Sequence, residues 1–396
     1  MVRARTLSSP EARIEASPFS LLTLMNSLFY HRHGGAGINS GTETLDFSVN
    51  ISPISPPIGT LTLNDFALQA YPSIDGKGIK DFYRARFGLD NAMVLPLNGA
   101  IEGIYLLPRA LGLRHILVLS PSFYEYERAA RIAGAEVTFL PLTADNGFRL
   151  PGIEQLAEAL HHADAFFVAN PNNPTGTEVP PEMIMALASR FPDKWFILDE
   201  AFIQFTPGFP DNSLMQQVMA LKNVVVVHSL TKFYALPGLR LGAVIAHPGV
   251  IGRMLYYKEP WTVNVIAESV ATMLLNCGAY EEELRDMILS ERERITALVS
   301  GIEGIRLAGG AANFFLAQWH GGGSLDALLS WLAERQLYVR DCRNFPGLEE
   351  NYFRFAIRRP VENDRLLNAL RSATISLGGA LRTPPLSRNF RRDPYH

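Results

Sequence analysis

What the sequence lacks excludes several large classes of protein. The chain has only two cysteines, Cys277 and Cys342, and no run of eighteen uninterrupted apolar residues. A disulfide framework, a multi-cysteine metal site and a transmembrane helix are therefore not expected. The 36 basic and 39 acidic residues give a formal charge of -3, so no overall basic field draws the chain to nucleic acid. We expect a cytoplasmic protein with no metal site that binds neither nucleic acid nor membranes.

The length of 396 residues and an apolar fraction of 47% predict two or three domains with sizeable cores. The segment Phe19–Tyr30 is apolar, but it contains Asn26 and lacks a small-x-small cleavage site, which favours a first helix over a signal peptide. The predicted division is a disordered N-terminal end (1–17), an arm that contributes to the small domain (18–57), a large domain (58–262), a small C-terminal domain (263–376) and a basic flexible tail (377–396).

Short apolar runs alternate with stretches of helical periodicity along the middle of the chain. This alternation predicts an α/β fold with a mostly parallel central sheet, in which ligands bind at the carboxyl ends of the strands. After Trp261, a charged helix over Tyr280–Arg294 and strands near Asn313–Gln318 and Tyr352–Ile357 indicate a smaller α+β domain. The predicted strands of the large domain are Met93–Leu95, Ile116–Leu119, Val137–Leu140, Ala165–Ala169, Trp195–Leu198, Val224–Val227 and Leu241–Ile245.

Lys232 is the one lysine of six for which a surface position is not the natural explanation. It follows the apolar run Val224–Val227 and precedes Phe233 and Tyr234. Loss of solvation at the mouth of a strand lowers the pKa of an amine and frees it to attack carbonyl groups. Schiff-base formation is the chemistry that this indicates, and a purely structural lysine is the alternative.

Two stretches of the sequence suit a phosphate group. Ser229, Thr231 and Arg240 supply two hydroxyls and a guanidinium around the same amine. In Leu97–Glu102 a strand gives way through Gly99 to a helix whose first amides have no intrahelical partner. Glycine turns of this kind also occur without a ligand, so this turn alone leaves both interpretations open.

Two polar turns follow predicted strands. Asn170–Gly176 is a rigid polar turn that could be a ligand loop or simple punctuation. Asp199 ends the strand Trp195–Leu198, and a carboxylate buried there needs a partner because an isolated buried charge is costly. A cationic pyridinium would satisfy it, and capping of the following segment is the alternative.

Taken in chain order, these motifs resemble those of the fold-type I pyridoxal-phosphate enzymes. The motifs are N-N-P-T-G at 172–176, D-E-A-F at 199–202 and S-L-T-K at 229–232, with Arg240 eight residues after the lysine. The resemblance covers about residues 30 to 373 and points to the branch that contains histidinol-phosphate aminotransferases and threonine-phosphate decarboxylases. It implies that family's architecture, pyridoxal 5'-phosphate as cofactor of the large domain, and a homodimer with shared active sites.

The resemblance assigns roles to residues of the large domain. Lys232 would carry the cofactor covalently, Asp199 would pair with the ring nitrogen, and Asn173 would donate to the phenolic oxygen of the ring. Phe123 matches the aromatic residue that stacks on the ring, with packing in the core as its alternative. The residues expected around the phosphate are Gly99, Ala100, Ser229, Thr231, Arg240 and, reaching across from a second subunit, Tyr71.

Two features of the sequence favour the decarboxylases over the aminotransferases of this branch. The aminotransferases usually carry tyrosine where this chain has Phe202. The opening His33-Gly34-Gly35 and the D-F-S-V-N-I-S-P stretch at 46–53 are similar to the opening of threonine-phosphate decarboxylases. For Gly34-Gly35, the alternative is a turn with a purely structural role.

The small domain supplies the residues expected to bind substrate. By resemblance, Arg354 holds the substrate carboxylate and Arg340 its phosphate, with Asn50 and His33 closing over the site. Buried guanidinium groups need anionic partners, although a surface cluster over Arg354–Arg359 is the alternative.

The resemblance implies decarboxylation of an O-phospho amino acid. The expected reaction converts L-threonine O-3-phosphate to (R)-1-amino-2-propanol phosphate and carbon dioxide in cobalamin biosynthesis. The alternative is a histidinol-phosphate-type aminotransferase that uses 2-oxoglutarate. A non-enzymatic regulator is disfavoured because no helix-turn-helix pattern precedes the enzyme-like region. The sequence leaves threonine phosphate and serine phosphate undecided, because they differ by one methyl group.

Overall fold

The computed structural model describes residues 34–35, 44–348 and 350–378 of the chain. His33, the helix expected within Phe19–Tyr30 and the N-terminal end at 1–17 lie outside the described residues. The predicted tail also lies outside them, apart from its first two residues. The described residues from Gly35 onward belong to one compact unit, and the predicted domain boundaries stay a prediction.

A seven-stranded sheet occupies the middle of the sequence and confirms the predicted α/β fold. Its strand order is β2-β8-β7-β6-β5-β3-β4. β8 runs antiparallel to both of its neighbours, and the other pairs are parallel. The strands are β2 (Val94–Asn98), β3 (His115–Ser120), β4 (Glu136–Pro141), β5 (Ala165–Ala169), β6 (Trp195–Asp199), β7 (Val224–Ser229) and β8 (Leu241–Ala246).

Helices cover both faces of this sheet, as the buried, largely apolar central strands β5, β6, β7 and β8 require. Val224 and Val226 belong to one hydrophobic core and Val225 and Val227 to the other, because successive side chains of a strand point to opposite faces. The helices along this part of the chain are α1 (Lys77–Phe87), α2 (Ala100–Leu111), α3 (Glu125–Ile132), α4 (Ile153–Leu160), α5 (Pro181–Arg190), α6 (Pro248–Tyr257) and α7 (Val265–Met273).

A four-stranded antiparallel sheet follows, with the order β12-β13-β10-β9, and agrees with the predicted smaller α+β part. The 22-residue helix α8 contains the predicted charged helix and extends it at both ends. A short parallel pair, β1 with β11, joins the segment at 45–46 to this part of the chain. The elements are β1 (Leu45–Asp46), α8 (Gly278–Val299), β9 (Ile305–Ala311), β10 (Phe314–Trp319), α9 (Leu325–Ala333), β11 (Leu337–Tyr338), β12 (Arg340–Asp341), β13 (Tyr352–Ala356) and α10 (Pro360–Gly378).

The register of the large sheet brings the predicted chemical groups to one edge. Asp199 pairs with Ala169 and Val227, and Ser229 pairs with Gly242. Because β8 is antiparallel, its first residues lie beside the last residues of β7 and β2. The loops that carry the lysine, the aspartate and the glycine turn therefore leave the sheet at neighbouring points.

The described ranges contain no candidate membrane span and no candidate metal cluster. None of their helices is both long and apolar enough to cross a membrane. No group of three or more His, Cys, Asp or Glu side chains in them could hold a metal ion. Cys277 and Cys342 are both buried and unpaired.

Candidate active site

Lys232 lies just beyond the end of β7, and its side chain is largely enclosed. Burial, together with the positive charges of Arg354 and Arg240, lowers the pKa of its amine to about 8, and the negative charge of Asp199 opposes this change. The backbone around it is held: the amide of Ser52 donates to the carbonyl of Lys232 at 2.9 Å. An amine with this pKa is partly neutral near pH 8, which is the form that attacks carbonyl carbon.

Asp199 is a buried carboxylate with two hydrogen-bond donors. The hydroxyl of Tyr126 donates to Oδ2 at 2.8 Å, and the amide of Ala201 donates to Oδ1 at 3.0 Å. Burial raises the pKa of Asp199, and both hydrogen bonds and the nearby Lys232 oppose that rise. The hydrogen bond from Ala201 is the capping contact that was the alternative explanation of Asp199. It orients the carboxylate and still allows a cationic partner to bind.

The predicted phosphate residues form a cradle with little spare room. The hydroxyls of Ser229 and Thr231 lie 2.8 Å apart and are both buried. Gly99 has φ of +79°, and a Cβ at this position would overlap the guanidinium of Arg240. A Cβ on Gly242 would press on the backbone amide of Ala100. Only glycine fits these two positions, so the backbone can come close to an anion.

The N-N-P-T-G loop holds one asparagine for structure and presents the other. The amide of Asn172 donates to the carbonyl of Pro121 at 2.9 Å and to Oγ1 of Thr175 at 2.8 Å, and its Oδ1 accepts from Ser122 at 2.8 Å. Asn173 accepts a hydrogen bond from Arg354. Its Oδ1 is thus engaged on the guanidinium side, which leaves its amide group as the donor toward a ligand.

Phe123 lies beside the aspartate's partner. Its ring packs edge-to-face on Tyr126 with centroids 5.6 Å apart, and Tyr126 stacks on Phe167 at 4.5 Å. Phe123 is partly exposed. It is therefore placed next to the site, and a stacking role stays a prediction.

Arg354, on β13, is buried and faces the lysine side of the site. Its guanidinium donates to Asn173 and, at 2.9 Å, to the carbonyl of Ser48, and it lies 5.6 Å from the ring centre of Phe314. Burial lowers the pKa of Arg354 to about 10. Its Nε has no hydrogen-bond partner. The alternative of a surface cluster is wrong for Arg354, because this residue is only 6% exposed.

Asn50 is also buried with both polar atoms of its amide unpartnered. Burial of such a group costs desolvation free energy, which is offset only when a ligand supplies hydrogen bonds. Arg340 pairs with Arg354 in register on the neighbouring strand. Its guanidinium donates to the carbonyl of Asp341 at 2.5 Å and to Oδ1 of Asn344 at 2.9 Å. Its predicted role toward a substrate phosphate stays a prediction.

Tyr71 lies apart from the cluster around Lys232 within this chain. It is 83% exposed, and its ring centre is 5.2 Å from that of Trp261. An exposed aromatic side chain of this size is consistent with the expectation that it acts on a second subunit.

Several residues near the site were not found from the sequence. Tyr126 and Ser48 are the clearest cases, since their partners Asp199 and Arg354 are 73 and 306 residues away in the chain. Tyr280 is another: its hydroxyl lies 3.0 Å from the carbonyls of Ile54 and of the residue after Lys232. Only the helical pattern around each tyrosine is visible in the sequence, and it does not indicate these long-range partners.

Lys258 corrects an interpretation made from the sequence. It was grouped with the surface lysines, but its side chain is only 9% exposed and its amine lies 2.7 Å from Oε1 of Glu102. Phe202, whose missing hydroxyl bears on the choice of reaction, is buried with its ring edge-to-face on Phe314 at 5.4 Å.

The residues present fit pyridoxal 5'-phosphate. A hydroxyl pair, a guanidinium and a glycine turn that a Cβ would fill suit the phosphate, a buried carboxylate suits a cationic ring nitrogen, and an amine of lowered pKa suits the aldehyde. Asn50 and Arg354 also have buried polar atoms without hydrogen-bond partners, which suit a second ligand.

Comparisons with known proteins agree with this chemistry. Residues 71–370 match the family "Aminotransferase class I and II". Threonine-phosphate decarboxylase of Salmonella typhimurium is 30% identical over 368 residues, which cover 89% of this chain and 100% of that protein.

Solved structures of two enzymes superpose on most of the chain. Histidinol-phosphate aminotransferase from Clostridium acetobutylicum has a TM-score of 0.78 at 29% identity and covers 84% of this chain and 100% of its own. L-threonine-O-3-phosphate decarboxylase from Porphyromonas gingivalis has a TM-score of 0.72 at 28% identity and covers 83% of this chain and 98% of its own.

Proposed function

Because the chain belongs to the aminotransferase class I and II family, whose members use pyridoxal 5'-phosphate, we propose that it decarboxylates an O-phospho amino acid. The substrate that fits best is L-threonine O-3-phosphate, and the products are carbon dioxide and (R)-1-amino-2-propanol phosphate. The similarity to the Salmonella threonine-phosphate decarboxylase over its full length supports this reaction, and a place in cobalamin biosynthesis follows from the product.

Phe202 is the observation that carries the choice of decarboxylation. The aminotransferases that the chain resembles usually have tyrosine there, whereas this ring is buried against Phe314 and offers no hydroxyl to the site. Phe314 in turn lies against the guanidinium of Arg354. At this position the site therefore has an apolar ring where the aminotransferases usually have a hydroxyl group.

The cofactor side of the proposed mechanism uses residues of the large sheet's edge. When bound, pyridoxal 5'-phosphate supplies an electron sink for the pair left on the substrate's α-carbon. Lys232 would hold the aldehyde, Asp199 would keep the ring nitrogen protonated, and Asn173 would donate to the ring oxygen. Gly99, Ala100, Ser229, Thr231 and Arg240 would hold the phosphate.

The substrate side uses two arginines and the amine. Arg354 would bind the α-carboxylate and Arg340 the substrate phosphate, with Asn50 as a further contact. The bond between the α-carbon and the carboxylate breaks, carbon dioxide leaves, and one proton is delivered to the α-carbon. Lys232 would deliver that proton, because its pKa of about 8 lets it carry and release a proton near neutral pH.

Histidinol-phosphate-type transamination is the second candidate, since the aminotransferase structure has the higher TM-score, 0.78 against 0.72. Transamination requires the proton to be moved to the cofactor, and the amino group to be passed to 2-oxoglutarate. Both candidates need the same lysine, aspartate and carboxylate-binding arginine, so these residues do not separate them.

A two-substrate assay separates the candidates. The purified holoenzyme is incubated with threonine phosphate, and separately with histidinol phosphate and 2-oxoglutarate, with Lys232→Ala as the background control. We expect carbon dioxide and aminopropanol phosphate from the first mixture and no glutamate from the second. Glutamate without carbon dioxide would replace our proposal by transamination, and neither product would remove both.

The same assay compares threonine phosphate with serine phosphate. The methyl group of threonine is worth about 1 to 3 kcal/mol in a fitted pocket, so a preference of roughly 10- to 200-fold for threonine phosphate is expected. Equal rates would show that the pocket does not sense the methyl group.

We also propose that the active unit is a homodimer. Large exposed apolar side chains within residues 68–74 and 256–261 support this, since exposed apolar surface marks interaction sites and Tyr71 of the first segment lies against Trp261 of the second. Their exposed fractions are Leu68 46%, Tyr71 83%, Ile74 68%, Tyr256 86% and Trp261 48%. Sedimentation of the holoenzyme should give a dimer, and Tyr71→Ala should weaken cofactor binding; a monomer with full activity would contradict the proposal.

A further inference from the structure

An ion pair lies next to the glycine turn that is assigned to the cofactor phosphate. The amine of Lys258 lies 2.7 Å from Oε1 of Glu102, and the two side chains are only 9% and 18% exposed. The same amine donates to the hydroxyl of Thr262, which in turn lies 3.3 Å from Oε2 of Glu102. Three elements, the first turn of α2, the end of α6 and the loop before α7, are thus joined at one carboxylate.

The other contact of this carboxylate is with the glycine turn itself. Oε2 of Glu102 accepts the backbone amide of Asn98 at 2.6 Å. Glu102 is the third residue of α2, and the residue before that helix is Gly99, which has no side chain to cap it. A glutamate at the third helical position reaches back to the N-cap amide in a capping box, and here it reaches one residue further, to the amide before the N-cap. Glu102 therefore fixes the peptide that leads into the turn.

The position of this carboxylate creates an electrostatic conflict that Lys258 resolves. A negative side chain in the first turn is favourable for the helix, but it repels a phosphate that binds the same helix end. An ammonium at hydrogen-bond distance cancels that repulsion, and it stays in place because the pair is largely shielded from water.

We propose that Glu102 and Lys258 are positioning residues for the phosphate of pyridoxal 5'-phosphate: Glu102 holds the turn in its binding conformation, and Lys258 neutralises the charge that this hold introduces. The inference rests on the cofactor of the proposed function and is independent of the substrate and of which bond breaks. It assigns to the two side chains no contact with the cofactor, and it differs from the role of Arg240, whose guanidinium reaches the turn directly.

The test compares two ligands that differ only in the phosphate. Apoprotein is titrated with pyridoxal 5'-phosphate and with pyridoxal, and binding is followed by visible absorbance. In Lys258→Met the carboxylate is left uncompensated, so the Kd for pyridoxal 5'-phosphate should rise about tenfold while that for pyridoxal stays the same. Adding Glu102→Gln keeps an oxygen for Asn98 and removes the charge, so the double variant should return to within about twofold of the wild type.

The matched control is another ion pair of the large domain. Arg190 and Glu154 lie 3.0 Å apart between α5 and α4, are mainly exposed, and are not predicted site residues. Arg190→Met should change neither Kd. Thermal unfolding of each apoprotein identifies variants that fail to fold, and the double variant keeps the test available if Lys258→Met alone is unstable.

Three results would overturn the inference. They are an unchanged Kd for pyridoxal 5'-phosphate in folded Lys258→Met, an equal loss for both ligands, and no recovery in the folded double variant. If the double variant folds and Lys258→Met does not, the double variant alone is measured. Its Kd for pyridoxal 5'-phosphate would overturn the inference if it lay far above the wild-type value. Wild-type protein that binds no pyridoxal 5'-phosphate at all would refute the proposed function instead, so the two failures are distinguishable.

Discussion

The two halves of the site differ in how their polar groups are paired. In the cofactor half, which comprises Asp199, Ser229, Thr231 and Lys232, the carboxylate has two donors and the two hydroxyls bind each other. In the substrate half, which comprises Asn50 and Arg354, the amide of Asn50 and the Nε of Arg354 are buried without hydrogen-bond partners.

This difference indicates when each half gains its interactions. The cofactor half is held by contacts within the protein, so binding the cofactor requires little rearrangement and depends on a preorganised site. The substrate half carries polar atoms whose desolvation has already occurred, so each hydrogen bond made by the substrate relieves a cost. Groups of the second kind give strong discrimination against ligands that cannot pair with them.

The largest effect is expected from removing the amine of the cofactor half. Lys232→Ala should abolish the visible absorbance of the covalently bound cofactor and lower turnover at least about 10⁴-fold, because the covalent anchor and the proton carrier are lost together. Absorbance spectra and turnover of the purified variant test this, and circular dichroism confirms that it is folded. An unchanged spectrum would refute the assignment of Lys232.

In the substrate half, Arg354→Met should spare the cofactor and damage the substrate step. We expect kcat/KM to fall by roughly 10²- to 10³-fold, since losing one partner of a buried charge pair costs about 2 to 5 kcal/mol, while the visible spectrum stays close to that of the wild type. Arg306→Met, at an exposed position of the same sheet, is the control. A loss of cofactor absorbance equal to the loss of activity would contradict the division into halves.

The lowered pKa of Lys232 predicts how the stability of the apoprotein depends on pH. Burial and the charges of Arg354 and Arg240 lower the pKa from 10.5 to about 8, so between these values the unfolded chain binds more protons than the folded chain. Stability contributed by this group should therefore rise from pH 8 to 10.5, by at most about 3 kcal/mol.

Urea unfolding of wild-type apoprotein and Lys232→Met at pH 7.5 and 10 measures this contribution as the difference between the two proteins. The variant should lack the rise that the amine contributes. Identical pH dependence in both would mean that the amine is solvated in the folded state, and the cofactor half would lose its nucleophile.

The smallest effect is expected at Asn50. Because its amide makes no hydrogen bond within the protein, Asn50→Ala should change the free energy of unfolding by no more than about 1 kcal/mol and raise KM about tenfold. Steady-state kinetics and urea unfolding test the two parts. A large loss of stability with unchanged KM would show that Asn50 is a structural residue.

The strands of the fold were predictable because they are short, apolar and rich in β-branched residues. The run Val224–Val227 lies within the observed β7, and only the polar end to Ser229 was missed. The direction of β8 was not predicted. Its connection from β7 holds a lysine loop and no crossover helix, and a parallel crossover needs a dozen or more residues.

The site was predictable only where its residues are close in the sequence. Lys232 and Arg240 are found together because one loop carries both, and they do approach each other. The pair of Tyr126 with Asp199 depends on the packing of α3 against the sheet, which no local pattern encodes. Lys258 was misjudged for a similar reason, since its partner Glu102 is 156 residues away.

The backbone contacts beside Lys232 decide which part of the lysine loop can move. The carbonyl of Lys232 accepts a hydrogen bond from the amide of Ser52. The next carbonyl, that of Phe233, accepts one from the hydroxyl of Tyr280 at the start of α8. Because these hydrogen bonds hold the main chain at two successive peptides, the amine can move during a catalytic cycle only by rotation about the bonds of its four methylene groups. The backbone of the loop stays fixed while the side chain changes its conformation.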